Sequence, residues 1–205
     1  MLSDVAATLK IAIPPRPAHL EKDEEWENQL GNVLHNTMEL WGMVPSQRPD
    51  TGALRRLAVA LLPTDGEALD LDWLLKCMDM LEQSELGREM AAAAARGELW
   101  HELPFNLHLP ADATSTRPEL ALSGRVDALF RDAEGRWVVV DYKLTKKGAP
   151  GTMAELQASY GKQLLAYRAA LQECGLGPVS RAGLWLAASG VAVWLTSGSG
   201  ANENP

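Results

Sequence analysis

Asp127, Asp141 and Lys143 are the residues of this 205-residue chain whose types and spacing could do chemistry. They lie in SGRVDALFRDAEGRWVVVDYKLTKKG, Ser123 to Gly148, where two apolar segments flank a short polar turn. Ala133-Glu134-Gly135 fits a three-residue hairpin loop with Gly135 at the left-handed position. Asp132 then pairs with Arg136, Phe130 meets Val138, Ala128 meets Val140, and Asp127 falls directly opposite Asp141. Directly opposed Cβ atoms sit about 4.5–5.5 Å apart. Alternation puts Lys143 on the same face as Asp141, with Val138, Val140 and Tyr142 pointing the other way. Two carboxylates that close repel unless one holds a proton or both share a cation. Oxygen ligands at this spacing suit a hard ion, Mg²⁺ or Mn²⁺. A lysine beside them can hold and polarise a water, or offset charge building on a phosphate.

A surface hairpin with an Asp141–Lys143 salt bridge is the plain alternative. The valines at 138, 139 and 140 argue against it, because a run apolar on both faces belongs to a central, covered strand. The acids then stand at the end of a buried strand.

The rest of the chain must position this hairpin. Residues 1–23, with prolines at 14, 15 and 17, read as an extended lead-in. Helical patterns run from Glu24 to Trp41, Leu54 to Leu62, Glu67 to Leu81 and Glu85 to Ala95, making residues 24–98 a helical part. ELPFNLHLP alternates as a first strand, the hairpin follows, and a long helix runs from about Met153 to Glu173. RAGLWLA and VAVWLT, on either side of Ala188-Ser189-Gly190, form a closing hairpin. Residues 99–196 are thus expected to form the core, and SGSGANENP at 197–205 a flexible tail. The order predicts an α/β sandwich on a mixed sheet with a helical N-terminal extension.

Composition narrows the setting. Cys77 and Cys174 are far apart, lack metal-type spacing and cannot supply an iron–sulfur cluster, so a reducing cytoplasm is expected. No segment is apolar enough to span a membrane, and the N-terminus lacks a signal peptide's basic start and apolar run. A net charge of −8 argues against coating nucleic acid over the whole surface. A local basic groove is compatible with it, since Arg125, Lys143, Lys146, Lys147, Lys162 and Arg168 cluster in sequence around the acids. A solvated charged face would also explain that cluster.

Two further features align with the hairpin. His35 lies mid-helix in GNVLHNTME, where a lone histidine is ordinarily a packed or exposed residue. The long helix carries YGKQLLAYRAAL, with Tyr160, Gln163 and Tyr167 on one face. Core packing explains the tyrosines but not a glutamine between them, and such a stripe suits phosphate and base contacts.

GNVLH, GRVDALF, VVVDYK and YGKQLLAY resemble, in the correct order, the histidine, first-aspartate, D-x-K and Q-x-x-x-Y motifs of the RecB/AddA-type nuclease domain of the PD-(D/E)XK superfamily. ELPFNL is similar to the strand that precedes the first aspartate there. The resemblance covers about Gly31 to Leu195 and implies a restriction-endonuclease-like core, a mixed central sheet flanked by helices. It implies a divalent metal, Mg²⁺ or Mn²⁺, held by His35, Asp127, Asp141 and the main-chain carbonyl of Tyr142. Lys143 would be the catalytic lysine. Gln163 and Tyr167 would support the site and contact DNA, with Tyr160 and Arg125 beside them. Leu144 departs from the family, which more often has Thr or Ser after the lysine; here Thr145 follows instead. No G-x-x-x-x-G-K-[ST] phosphate loop occurs in the sequence, so a stand-alone nuclease and an excised domain of a helicase-nuclease both remain open. The activity implied is DNA phosphodiester hydrolysis, exonuclease-like, in end processing and recombinational repair, with a helicase as a partner. A non-catalytic DNA-binding scaffold and a defence nuclease of restriction or CRISPR-associated type are the alternatives.

Overall fold

The computed structural model describes residues 24–61, 71–109, 120–144 and 153–195. The expected lead-in and tail lie outside them, as do Thr145, Lys146 and Lys147. Four helices come first: α1 (Glu24–Trp41), α2 (Thr51–Leu61), α3 (Leu71–Gln83) and α4 (Glu85–Ala95), with a short 3-10 turn at Pro45–Gln47. Strands β1 (Leu99–Leu109), β2 (Leu120–Arg131) and β3 (Trp137–Lys143) follow, then α5 (Met153–Glu173), β4 (Val179–Leu186) and β5 (Val191–Trp194).

The strands form one sheet in the order β1-β2-β3-β4-β5. β1, β2 and β3 are an antiparallel meander, β4 joins β3 in parallel after α5, and β5 returns antiparallel as the closing hairpin. This is the mixed, helix-flanked α/β sheet that the sequence predicts. β3 is buried from Trp137 to Tyr142 because both its faces are covered. On one face Val138, Val140 and Tyr142 pack with Phe130 against a helical layer that includes Leu30, Leu34 and Trp41 of α1. On the other, Val139 and Leu129 pack against Leu164, Tyr167 and Leu171 of α5.

Two boundaries differ from the apolar pattern for local reasons. α2 begins at Thr51, before the first apolar residue of its stripe, because Asp50 accepts from the Ala53 N–H at 2.7 Å and caps the first turn. β1 begins at Leu99, three residues before ELPFNL. Its alternation is interrupted at Glu102, whose φ is +51°. Leu99 packs on the helical side of the sheet and Leu103 on the α5 side, although regular strand residues that far apart share a face. In β2, Ala128 and Val126 are divided between the same two cores. Both strands therefore turn over together at Glu102 and Asp127, between the pairs His101–Ala128 and Leu103–Val126.

Candidate active site

The β2–β3 turn sets the register of the two acids. The Asp132 N–H donates to the Arg136 carbonyl at 3.0 Å, the Gly135 N–H donates to the Asp132 carbonyl at 3.1 Å, and Gly135 has φ +74°. The buried carboxylate of Asp132 holds the turn closed, accepting from the Glu134 and Arg136 N–H groups at 3.0 and 2.9 Å. The ladder then pairs Phe130 with Val138 and Ala128 with Val140. The ladder stops at that pair, one step before Asp127 and Asp141. The Tyr142 N–H donates instead to Asp127 Oδ2, at 2.7 Å.

The two acids do not share one face as strand alternation predicts, because β2 turns over at Asp127, and they are held by different layers. Asp141 has no solvent exposure and faces α5. Its Oδ1 accepts from Gln163 Nε2 at 2.9 Å and lies 3.4 Å from the Tyr167 hydroxyl, to which Gln163 also donates at 2.5 Å. Lys143 Nζ forms an ion pair with Oδ2 at 2.7 Å. The Lys143 ammonium also sits 5.2 Å from the Tyr160 ring. Asp127 turns toward α1, where His35 Nδ1 lies 3.6 Å from its Oδ1.

α1 delivers His35 because Leu30, Val33, Leu34 and Met38 bury the face of that helix. The imidazole meets the Tyr142 ring edge-on, with centroids 5.9 Å apart, and its Nε2 lies 3.2 Å from the Tyr142 carbonyl oxygen. Leu144 packs against the same helical-layer core. An apolar residue after the lysine therefore serves the contact between sheet and helices.

Glu102 joins this group, and the sequence reading assigned it no role. Its Oε1 lies 3.2 Å from His35 Nδ1 and its Oε2 3.3 Å from an Arg125 guanidinium nitrogen. The available signal was an acid inside the apolar alternation of the first strand.

The remaining candidates are spread around the centre. Arg125 is exposed, Tyr160 and Gln163 are half-buried, Lys162 is exposed and Arg168 half-buried. Tyr167 is only 6% exposed, and its ring packs edge-on against Phe105. Its hydroxyl supports Asp141, and its ring has no open face for a base.

Burial first, and then the neighbouring Asp141 charge, push the Asp127 carboxyl up to about 7. A divalent ion fits this arrangement. The ligand atoms of His35, Glu102 and Asp127 lie within 4.8 Å of one another; Asp141, whose Oδ2 meets Lys143 Nζ at 2.7 Å, is not in that group. The Tyr142 carbonyl adds another oxygen, and a set of oxygens with one imidazole suits Mg²⁺ or Mn²⁺. His101, behind the site, stacks on Tyr142 with both ring nitrogens shielded, and burial lowers its pKa to about 4. It is neutral at physiological pH and adds no charge to the centre.

The family profile described as the PD-(D/E)XK nuclease superfamily matches residues 9–196. Among curated proteins, the chain is 24% identical over 171 residues to an ATP-dependent helicase/nuclease subunit of Lysinibacillus sphaericus (strain C3-41), covering 78% of this chain and 13% of that protein. It is 34% identical over 115 residues to the corresponding ATP-dependent helicase/nuclease subunit of Geobacillus thermodenitrificans (strain NG80-2), covering 50% of this chain and 9% of that one. The chain thus spans a small part of the length of these relatives. Among the described residues, no helix is long and apolar enough to cross a membrane.

Proposed function

The chain belongs to the PD-(D/E)XK nuclease superfamily, with similarity to helicase/nuclease subunits of RecB/AddA type, and from that premise we propose that it is a divalent-metal-dependent deoxyribonuclease. The observation that supports this reading is that α1 brings His35 beside Asp127 and the Tyr142 carbonyl, while Lys143 and Asp141 pair with each other on either side of Tyr142 in β3. Residues 99–196 would be the nuclease core and 24–98 the helical part that supplies the histidine.

His35 Nε2, Asp127 Oδ1, Asp141 Oδ2 and the Tyr142 carbonyl would hold the ion. When bound, Mg²⁺ or Mn²⁺ supplies Lewis acidity to a phosphodiester oxygen and acidifies a water. Lys143, next to Asp141, would orient that water and offset charge developing on the phosphate. Gln163 and Tyr167 would hold the Asp141 carboxylate so that Oδ2 remains turned to the ion. Arg125 and Tyr160, both reachable from solvent, would meet the DNA backbone and a base.

The role that follows is exonuclease-like processing of DNA ends in recombinational repair, in a cytoplasmic setting, as the nuclease domain of a helicase-nuclease or as a stand-alone relative. A non-catalytic scaffold is disfavoured because both acids and the lysine are kept. The purified chain, incubated with end-labelled single- and double-stranded DNA, should cleave with Mg²⁺ or Mn²⁺ and stop with EDTA. Cleavage undiminished in EDTA, or unchanged in Asp141→Asn, would overturn the reading.

A further inference from the structure

Glu102 occupies the most unfavourable backbone of the sheet. Its φ of +51° lies in the left-handed region, in the middle of β1, where a non-glycine residue is destabilising. The residues on either side are still paired with β2, so the interruption is confined to Glu102 and the opposing Asp127. The kink aims a carboxylate, 12% exposed, at α1, where Oε1 lies 3.2 Å from His35 Nδ1. Arg125 lies 3.3 Å from the other oxygen and fixes the orientation of the group.

The consequence concerns which nitrogen of His35 carries the proton. Glu102 Oε1 and the Tyr142 carbonyl can each only accept and flank the ring at the same 3.2 Å, and the charged carboxylate is the stronger acceptor, so the single proton of a neutral ring is favoured on Nδ1. Nε2 then turns its lone pair toward the Tyr142 carbonyl oxygen, 3.2 Å away. Two lone pairs at that separation repel as a contact pair and suit adjacent ligands of one cation. Without Glu102 the opposite tautomer becomes favourable: an Nε2 proton would bond to the Tyr142 carbonyl and withdraw both atoms from the ion.

We propose that Glu102 is a positioning residue of the metal centre: by accepting the His35 Nδ1–H it reserves His35 Nε2 and the Tyr142 carbonyl for the ion. This rests on the metal-nuclease reading above. The left-handed turn in β1 is the structural cost of aiming that carboxylate at α1.

Calorimetric titration of the full chain with MnCl₂, at one alkaline pH, tests it. Glu102→Ala should weaken Mn²⁺ binding about 10–100-fold, the usual effect of losing an outer hydrogen-bond partner of a ligating histidine. Glu102→Gln, which keeps an acceptor oxygen, should recover part of the loss. In a His35→Ala background, removing Glu102 should cost nothing more. The imidazole ¹⁵N shifts of the metal-free protein should report Nδ1–H in the wild type and Nε2–H in Glu102→Ala. Glu102→Gly, which relieves the left-handed strain, should raise the metal-free Tm while weakening Mn²⁺ binding, and it serves if the alanine variant misfolds. Unchanged affinity in Glu102→Ala, or an equal loss in the His35→Ala background, would overturn the inference. A wild type that binds no Mn²⁺, or an Asp127→Asn variant that binds it as well as wild type, would sink the metal-site reading and this inference with it.

Discussion

Asp127 accepts a hydrogen bond from the Tyr142 N–H at 2.7 Å, so a side chain stands where the next main-chain acceptor of the β2–β3 ladder would be. The same peptide segment presents the Tyr142 carbonyl to His35 Nε2. One acid thus ends the strand pairing, orients a carbonyl and offers its other oxygen to the centre.

Asp127→Asn should abolish cleavage and make the metal-free protein more stable at neutral and alkaline pH. Burial and Asp141 push Asp127 up to about 7, whereas an unfolded aspartate titrates near 3.8. Between those values the folded chain keeps a proton that the unfolded chain has released, so this stabilising contribution is present below about pH 4 and lost as pH rises through 7. His101 acts in the opposite sense: with its pKa lowered to about 4, the stability it contributes above 6.5 is lost as pH falls toward 4. The two slopes oppose each other, and only the difference between wild type and variant isolates Asp127. In urea unfolding that difference should be near zero at about pH 4 and at least ~1 kcal/mol in favour of the variant at about pH 8. A pH-independent difference would refute the assignment.

Lys143→Ala should keep metal binding and lose turnover by roughly 10²–10³-fold, because the ammonium acts on water or phosphate rather than on the ion. Calorimetry alongside a cleavage assay separates the two. Lost metal affinity with turnover intact would reverse the roles given to Lys143 and its neighbours.

The supports of Asp141 should be unequal. Tyr167→Phe removes the 3.4 Å contact and the hydroxyl that accepts from Gln163 at 2.5 Å, but leaves the Gln163 amide at 2.9 Å from Asp141, so Mn²⁺ affinity should fall less than about 5-fold. Gln163→Leu removes the shorter bond and should cost about 10–100-fold. Equal losses in titration would mean that the tyrosine hydroxyl holds Asp141 as firmly as the amide.

Gly124→Ala should destabilise by about 1–3 kcal/mol in thermal or urea unfolding. A Cβ there would lie 2.8 Å from Phe105 Cζ, and the Phe105 ring packs edge-on against Tyr167. Displacing Phe105 would loosen the tyrosine behind Asp141, and activity should fall with stability. A wild-type Tm in this variant would show that Phe105 moves aside freely.

Residue order alone specifies the β2–β3 hairpin and its register as far as Ala128 and Val140, because a tight turn with Gly135 left-handed permits one register and strand geometry propagates it. It also specifies that β3 is covered on both faces, since three consecutive valines leave no face for water. The stripe of Tyr160, Gln163 and Tyr167 was legible for the same reason: helical spacing is local. His35 entered only through the ordered resemblance, because nothing local connects α1 to a strand end about ninety residues later. Tertiary packing settles the rest. The apolar face of α1 against the sheet sets the rotation of His35, and α5 on the opposite face takes up Asp141 while Asp127 turns toward α1. Glu102 shows in the sequence only as an acid inside the apolar alternation of β1, and its function depends on a break in that alternation. That break exists only where β1 and β2 turn over together, a non-local strain that residue order does not encode visibly.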